Sequence, residues 1–213
     1  MRIDVFTLVP HAFAWLTEQR PLSAVLGTTL ELRLFNYRES TPLRAGQVDD
    51  EPYGGGAGMV LRVDVVAAAL EAVYGDAMSK HVIALSPQGR PLTQAIVEEL
   101  AAEDELTLLS ARFEGFDERI VSHLATDAIS IGPYVLSNGD LPAMVVLDAV
   151  ARRLPGALAE GSGELESFSE ELGGRLEYPH YTRPAEFRGW RVPEILLSGD
   201  HAKIDAWRRE QVR

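Results

Sequence analysis

Short apolar segments alternate with helical patterns through the middle of the chain, and this alternation constrains the fold more than any other feature. Residues 82–85, 106–109 and 128–131 are rich in apolar or β-branched side chains and have the length of buried strands. Apolar periodicity over residues 91–103, 117–124 and 141–154 predicts helices that follow them. Because strands joined through helices run parallel, the sequence predicts an α/β fold with an open parallel sheet.

The first 75 residues add two strands and two helical segments to this plan. Residues 3–9 and 30–35 are predicted strands, and the second alternates as a strand with one buried face does. Residues 11–26 have a helical pattern that Pro21 should interrupt, and residues 63–73 are a predicted helix with Asp64 in its first turn. Residues 36–59 between them are predicted to form a long loop.

A glycine-containing loop follows each of the three central strands. The loops span residues 85–90, 110–119 and 130–144. In an open parallel sheet, ligands bind beyond the carboxyl ends of the strands, which is where these loops lie. Backbone N–H and C=O groups in such loops can hydrogen-bond to the flat edge of an adenine-like ring. The sequence therefore predicts one composite ligand pocket.

Composition and charge exclude several classes of protein. The chain of 213 residues contains no cysteine, which excludes disulfides, thiolate metal sites and a cysteine nucleophile and fits a cytoplasmic protein. No apolar run reaches the ~18–20 residues of a membrane span, and the N-terminus lacks the features of a signal peptide. The net charge of −12 opposes nucleic-acid binding, yet residues 179–213 hold seven basic and five acidic residues. We expect any RNA contact there or on locally basic loops, although a solvated helix surface would also explain this charge.

Glycine and glutamate concentrate in residues 157–177, which predicts a flexible linker. It would separate a ligand-binding domain at residues 1–156 from a small helical unit at residues 178–213, whose main helix is predicted at 195–209. A unit of about 35 residues cannot bury a core alone, so we expect it to dock on the main domain or on a second copy.

Several other motifs leave functional and structural interpretations open. The glycine run after Tyr53 could hold a phosphate, but it lacks the Gly-Lys-Ser/Thr of a P-loop and is better explained as a flexible lid or turn. Solvation explains the acidic triplet at residues 49–51 better than a metal site does. Glu114 lies in a turn at a strand end, where it could hold a ligand or a cation. His180 and Tyr181 could stack on a base or pack locally.

These segments together resemble the bacterial tRNA (guanine-N1)-methyltransferases, the TrmD family of the SPOUT class, over nearly the whole chain. The resemblance rests on residues 48–60, 85–89, 112–119, 141–144, 178–184 and 196–204. It implies a SPOUT-type open parallel sheet with a trefoil-knotted cofactor site, and a homodimer with a shared active site. It also implies methyl transfer from S-adenosylmethionine to N1 of the guanine immediately 3′ of the anticodon in tRNA, with the small C-terminal unit contacting the tRNA.

The resemblance implies which residues form the cofactor site. They are Leu85, Ser86, Pro87, Gln88, Gly89, Ala111, Phe113, Glu114, Gly115, Ile131, Gly132, Pro133, Tyr134, Val135, Leu136, Asn138, Gly139, Leu141 and Pro142.

The resemblance also implies two catalytic residues. Glu166 stands where the family has an aspartate that removes the proton from guanine N1, and a carboxylate suits that role. Arg152 matches an arginine that assists the target guanine and its base, since a guanidinium can stabilise charge that develops on O6. A Mg²⁺ requirement of the family would suit carboxylates such as Glu114 or Glu177.

The chain differs from the family pattern at four site positions. Ala111 stands in place of a glycine, Pro133 in place of an acidic residue, Asn138 in place of a glycine and Glu166 in place of the aspartate. The region 169–175 is longer than usual, and the chain ends at Arg213, where relatives continue with further helix. These differences keep two alternatives open: a catalytically weak or inactive S-adenosylmethionine- or RNA-binding member, and a methyltransferase for another RNA base.

Overall fold

The computed structural model describes residues 1–75, 81–159 and 166–213. The chain divides into two compact units, Met1–Leu158 and Ala159–Arg213. No helix within the described residues is long and apolar enough to cross a membrane.

The first unit contains seven strands and six α-helices within its described residues, together with short 3₁₀ turns at Pro10–Phe13 and Arg44–Gly46 and a π-helical turn at Ile120–Leu124. The strands are β1 (Arg2–Thr7), β2 (Glu31–Asn36), β3 (Asp49–Asp50), β4 (Val60–Leu61), β5 (Val82–Pro91), β6 (Glu105–Leu109) and β7 (Asp127–Ser130). The helices are α1 (Ala14–Glu18), α2 (Leu22–Val25), α3 (Tyr37–Ser40), α4 (Val63–Tyr74), α5 (Gln94–Ala101) and α6 (Asp140–Ala151).

Five of the strands form one parallel sheet in the order β2-β1-β6-β5-β7, which confirms the predicted α/β fold. Successive side chains of a strand point to opposite faces, so β1 contributes to two hydrophobic clusters. Ile3 and Val5 pack in a cluster with buried residues of α5 and α6, and Phe6 packs in a second cluster with buried residues of α4. Helices therefore cover both faces, as a parallel sheet requires.

Strand β5 has an irregularity that shapes the ligand-binding edge. Leu85 and Arg90 both pair with Ile129 of β7, so residues 86–89 leave the ladder as a loop. A Cβ atom at Gly89 would collide with the backbone of Ala128 and Ile129. This glycine is therefore required by the close approach of β5 to β7, and the predicted strand at 82–85 continues beyond its loop to Pro91.

The predicted helix at residues 117–124 is confirmed apart from its first residue. Residues 118–124 are helical, and Ile120–Leu124 form a π-helical turn. The backbone N–H of Asp117 donates to the carbonyl of Leu61, and the Asp117 carboxylate accepts from the backbone N–H and the guanidinium of Arg119. These bonds fix Asp117, which directly precedes the first helical residue.

Three further predictions in the N-terminal region need adjustment. The helical pattern at 11–26 is divided into a 3₁₀ turn, α1 and α2, with the expected interruption at Pro21. The predicted loop at 36–59 contains the short helix α3 and strand β3. At the sheet edge, β2 is half-buried at most positions and does not alternate cleanly between a buried and an exposed face.

The second unit contains two short strands, β8 (Glu186–Phe187) and β9 (Trp190–Arg191), followed by α7 (Glu194–Leu197) and α8 (His201–Gln211). The predicted single helix at 195–209 is thus wrong, because Gly199 adopts a φ of +73° between α7 and α8. In the predicted linker, residues 160–165 lie outside the described residues. The remaining part is hydrogen-bonded: Leu176 exchanges two backbone hydrogen bonds with Arg213.

Candidate functional site

A cavity opens at the carboxyl ends of β5, β6 and β7 in the first unit, where the sequence predicts a composite pocket. Its lining comes from the loop inside β5 and the loops that follow β6 and β7. The lining residues are Leu85, Ser86, Pro87, Ala111, Arg112, Phe113, Glu114, Gly115, Ile129, Ser130, Ile131, Gly132, Tyr134, Val135, Leu136, Ser137, Asn138, Gly139 and Pro142.

Most of the predicted cofactor residues line this cavity, but Gln88, Gly89, Pro133 and Leu141 do not. Gln88 and Pro133 are exposed, Gly89 faces the backbone of β7, and the Leu141 side chain is 55% exposed on α6. A few positions within the loops face away from the cavity, so a continuous sequence block overstates the lining.

Four lining residues are absent from the predicted set: Arg112, Ile129, Ser130 and Ser137. Each is adjacent in sequence to a predicted residue or lies at the end of a predicted strand, and that position is the signal that could have identified it. Ser130 also shapes the loop, because its hydroxyl donates to the carbonyl of Gly132 over 3.0 Å and accepts from the Gly132 N–H over 3.3 Å.

The turn at Phe113 and Glu114 forms one wall of the cavity. Phe113 adopts a φ of +61° and leaves its ring 45% exposed. The backbone N–H of Glu114 donates to the carbonyl of Met59 over 2.9 Å, and the space where a Cβ of Gly58 would lie is filled by the Glu114 side chain. The end of the glycine run is therefore packed against the cavity wall.

Two of the departures from the family pattern fit the cavity without strain. Ala111 is buried and does not have a positive φ, so its Cβ meets no backbone penalty. Asn138 also lacks a positive φ, and its Oδ1 accepts the backbone N–H of Asp140 over 3.0 Å at the start of α6. An asparagine at this position thus supports the helix start.

The two predicted catalytic residues belong to different compact units. Arg152 lies at the end of α6 and is half-buried, with its backbone N–H donating to the carbonyl of Asp148 over 3.1 Å. Glu166 is half-buried in the second unit, where its carbonyl accepts the backbone N–H of Ser169 over 3.0 Å.

The described carboxylates do not form a metal centre. Residues 1–75, 81–159 and 166–213 contain no group of three or more His, Cys, Asp or Glu side chains that could hold a metal ion. The Glu177 carboxylate instead lies 2.9 Å from Nε2 of His180. In the acidic triplet, Asp50 pairs with Arg62 over 2.7 Å.

Arg62 also holds Asp64 with two hydrogen bonds, of 3.0 and 2.7 Å, near the start of α4. These bonds lower the pKa of the Asp64 carboxyl. Asp64 lies in the first helical turn, as predicted, where the positive end of the helix dipole also favours its charge. Asp50 of the triplet and Asp64 are therefore both paired with Arg62.

The aromatic residues near Pro179 make local contacts within the second unit. The rings of Tyr178 and His180 lie 4.8 Å apart, and Tyr181 lies 6.5 Å from the ring of Trp207. Tyr181 remains 49% exposed, so local packing leaves one part of its ring open to a further contact.

Comparison with known proteins gives consistent matches. A family model described as "tRNA (Guanine-1)-methyltransferase TrmD" matches residues 1–213. Relatives named "tRNA (guanine-N(1)-)-methyltransferase" occur in Brevibacillus brevis, Dehalococcoides mccartyi and Gloeobacter violaceus, at 49%, 48% and 48% identity. Each alignment covers 99% of this chain, and they cover 86%, 85% and 92% of the respective relatives.

Proposed function

The chain belongs to the tRNA (guanine-N1)-methyltransferase family, and we propose that the three-loop cavity of its first unit is the S-adenosylmethionine site. The reaction is S-adenosylmethionine-dependent methylation of guanine N1 in tRNA. The observation that carries the site assignment is that three loops meet in one cavity at the carboxyl edge of a parallel sheet. This edge is where open α/β sheets bind ligands.

The lining fits the chemistry of the methyl donor. When bound, S-adenosylmethionine supplies an electrophilic methyl group on a positively charged sulfur. Backbone groups of the loop from Ile131 to Gly139 would bind the adenine edge, while Leu136 and Pro142 supply apolar surface. The Glu114 carboxylate, which also belongs to the lining, suits the cationic part of the donor.

Glu166 and Arg152 are the residues that we assign to the guanine. Guanine N1 carries a proton at neutral pH, so a base must remove it before or during methylation. Glu166 would accept this proton, and Arg152 would stabilise the negative charge that develops on O6. Glutamate is one methylene longer than the aspartate of the family, so its carboxylate requires a slightly different backbone position.

The finer features of the function rest on the family resemblance. The target would be the guanine immediately 3′ of the anticodon, and the active enzyme would be a homodimer in which both subunits contribute to each active site. The trefoil knot likewise rests on the resemblance.

The Mg²⁺ that the resemblance implies is not assigned to particular residues. The described residues offer no cluster of metal-binding side chains, and Glu114 and Glu177 belong to different compact units. We therefore derive no step through Mg²⁺.

The alternative of an inactive member is not favoured. The chain is 46–49% identical to relatives named as the methyltransferase over nearly its full length. Ala111 and Asn138 adopt backbone conformations that suit their side chains. Mapping the methylated position in the product distinguishes methylation of guanine N1 from methylation of a different base.

A matched pair of variants tests the site assignment. Leu136 lines the cavity, whereas Leu141 lies outside it, although both belong to the same sequence block. Leu136→Arg should abolish S-adenosylmethionine binding in a calorimetric titration, because it places a cation in the cavity. Leu141→Arg should bind as the unchanged chain does. Equal affinities of the two variants would overturn the assignment.

A further inference from the structure

A buried carboxylate joins three elements behind the cavity. Oδ1 of Asp140, the first residue of α6, accepts a hydrogen bond of 2.6 Å from the hydroxyl of Thr7 and another of 2.6 Å from that of Ser110. Thr7 ends β1 and Ser110 directly follows β6. The Thr7 hydroxyl also accepts the backbone N–H of Val9 over 3.0 Å. Asp140 thus connects the ends of two central strands to the start of a helix.

This carboxylate is costly for the fold. Asp140 is 3% exposed, and among the described residues its Oδ2 is buried and makes no hydrogen bond. Burial of a charge with an unsatisfied oxygen opposes folding, and the positive end of the α6 dipole offsets only part of that cost. An apolar side chain at this position would leave the buried hydroxyls of Thr7 and Ser110 without their acceptor, so the carboxylate and the two hydroxyls form one unit.

The contacts of Asp140 lead directly to the cavity wall. Thr7, Ser110 and Asp140 do not line the cavity, but Ala111, Asn138 and Gly139 do. Asn138 and Gly139 immediately precede Asp140, and the backbone N–H of Asp140 donates to the Asn138 side chain. Ala111 immediately follows Ser110. One carboxylate therefore fixes a residue in each of two lining loops.

We infer that Asp140 is a positioning residue that sets the spacing of the two loops for S-adenosylmethionine. The inference rests on the proposed function, which places the methyl donor in this cavity. By holding Ser110 and the start of α6 together, Asp140 keeps the backbone groups of both loops at the separation that the donor requires. The two loops are therefore held in this arrangement before the ligand binds, which reduces the entropy cost of binding.

The role predicts an effect on cofactor affinity rather than on the chemical step. Asp140 touches neither the cavity nor, in this assignment, the reacting atoms. Loosening the two loops should therefore weaken binding of the donor while kcat at saturating S-adenosylmethionine stays close to that of the unchanged chain.

Thr7 provides the sharpest test because it lies outside both lining loops and its hydroxyl donates to Asp140. Thr7→Val keeps the shape of the side chain but removes the hydroxyl, and Thr7→Ser keeps the hydroxyl with its bonds to Asp140 and Val9. We expect calorimetric titration with S-adenosylmethionine to give a dissociation constant raised about tenfold in Thr7→Val, as loss of a hydrogen bond to a charged group implies. Thr7→Ser should restore most of the affinity. Asp140→Asn should weaken binding as well, because it removes the negative charge to which the two hydroxyls donate their hydrogen bonds.

Asp4→Asn is the matched control for a general loss of stability. Asp4 is a second buried carboxylate and belongs to β1. It accepts two hydrogen bonds from Arg33 and lies outside the cavity lining. The Asp4→Asn substitution should lower the unfolding temperature without changing the affinity for the donor. If Thr7→Val and Asp140→Asn bind with the affinity of the unchanged chain, the positioning role is overturned while the site assignment stands. If the unchanged chain binds no S-adenosylmethionine, the proposed function itself fails.

Discussion

The backbone N–H of Gly139 donates a 2.7 Å hydrogen bond to the carbonyl of Ala111, which joins the loops after β6 and β7 at the cavity. Both residues line the cavity. A Cβ atom at position 139 would lie 2.9 Å from the backbone nitrogen of Ala111 and 3.0 Å from Cα of Ser110. Contacts this short require the two loops to separate.

Gly139→Ala should therefore reduce both stability and cofactor affinity. Overpacking of this kind costs about 1–3 kcal/mol in the free energy of unfolding. Urea unfolding and calorimetric titration with S-adenosylmethionine measure the two effects. Gly156→Ala is the control, because its φ of +88° strains an alanine in open space away from the cavity. It should lose stability and keep its affinity. If Gly139→Ala binds S-adenosylmethionine with unchanged affinity, the contact between the two loops does not contribute to cofactor binding.

Glu166→Gln tests the proposed general base. An amide cannot accept the N1 proton, so kcat should fall by a factor of about 100 to 10,000. The dissociation constant for S-adenosylmethionine should not change, because Glu166 lies outside the lining of the cavity. Glu170→Gln, in the next turn of the second unit, is the control and should remain active. Full activity of Glu166→Gln would remove this residue from the mechanism.

Arg152→Ala tests the electrostatic role on the guanine. Loss of a group that stabilises developing charge should lower kcat by about 100- to 1,000-fold. The adjacent Arg153 lies 3.5 Å from Glu98 and serves as the control. Arg153→Ala should have a small effect, since that ion pair is partly exposed. Single-turnover methyl transfer compares the two variants, and equal rates would argue against a specific role for Arg152.

Tyr74 supports the sheet through two hydrogen bonds to buried groups, so its loss should show in stability alone. Its hydroxyl lies 2.6 Å from Oδ2 of Asp4 and 2.6 Å from Oγ1 of Thr107. Tyr74→Phe should lower the free energy of unfolding by about 1–3 kcal/mol. Tyr53→Phe, at a fully exposed tyrosine, is the control and should have no effect.

The same tyrosine predicts an alkaline dependence of stability. Burial, followed by the hydrogen bond to Asp4, raises the pKa of the Tyr74 hydroxyl. The folded state therefore keeps this proton to higher pH than the unfolded state does. The contribution is fully present below the ordinary tyrosine pKa of about 10 and is lost as the pH rises through the raised value. Urea unfolding across this range should show a shallower decline in Tyr74→Phe, and parallel curves would exclude the effect.

The sequence predicts the sheet and the three loops because short apolar runs and glycine positions are local signals. It does not predict that residues 86–89 leave the β5 ladder, since the register shift depends on pairing with β7. For the same reason the sequence does not show that Gly89 is required by its close approach to β7. The helix predicted at 195–209 fails at Gly199, where a positive φ overrides the apolar periodicity.

The hydrogen bonds that join Thr7, Ser110 and Asp140 behind the cavity could not be predicted from sequence patterns. Thr7, Ser110 and Asp140 are separated by more than a hundred positions at their extremes, and no spacing or motif relates them. Their contact arises only when β1 and β6 become neighbours in the sheet and α6 starts beside their ends. The family resemblance locates the lining loops but not this connection.

The most direct test of the account is transfer of labelled methyl from S-adenosylmethionine to two tRNA transcripts. One carries guanine immediately 3′ of the anticodon and the other carries adenine there. We predict label on the guanine transcript alone, at N1 of that base, with the unchanged chain. Label on neither transcript, in a preparation that binds S-adenosylmethionine by calorimetry, or equal label on both, would contradict the proposed function.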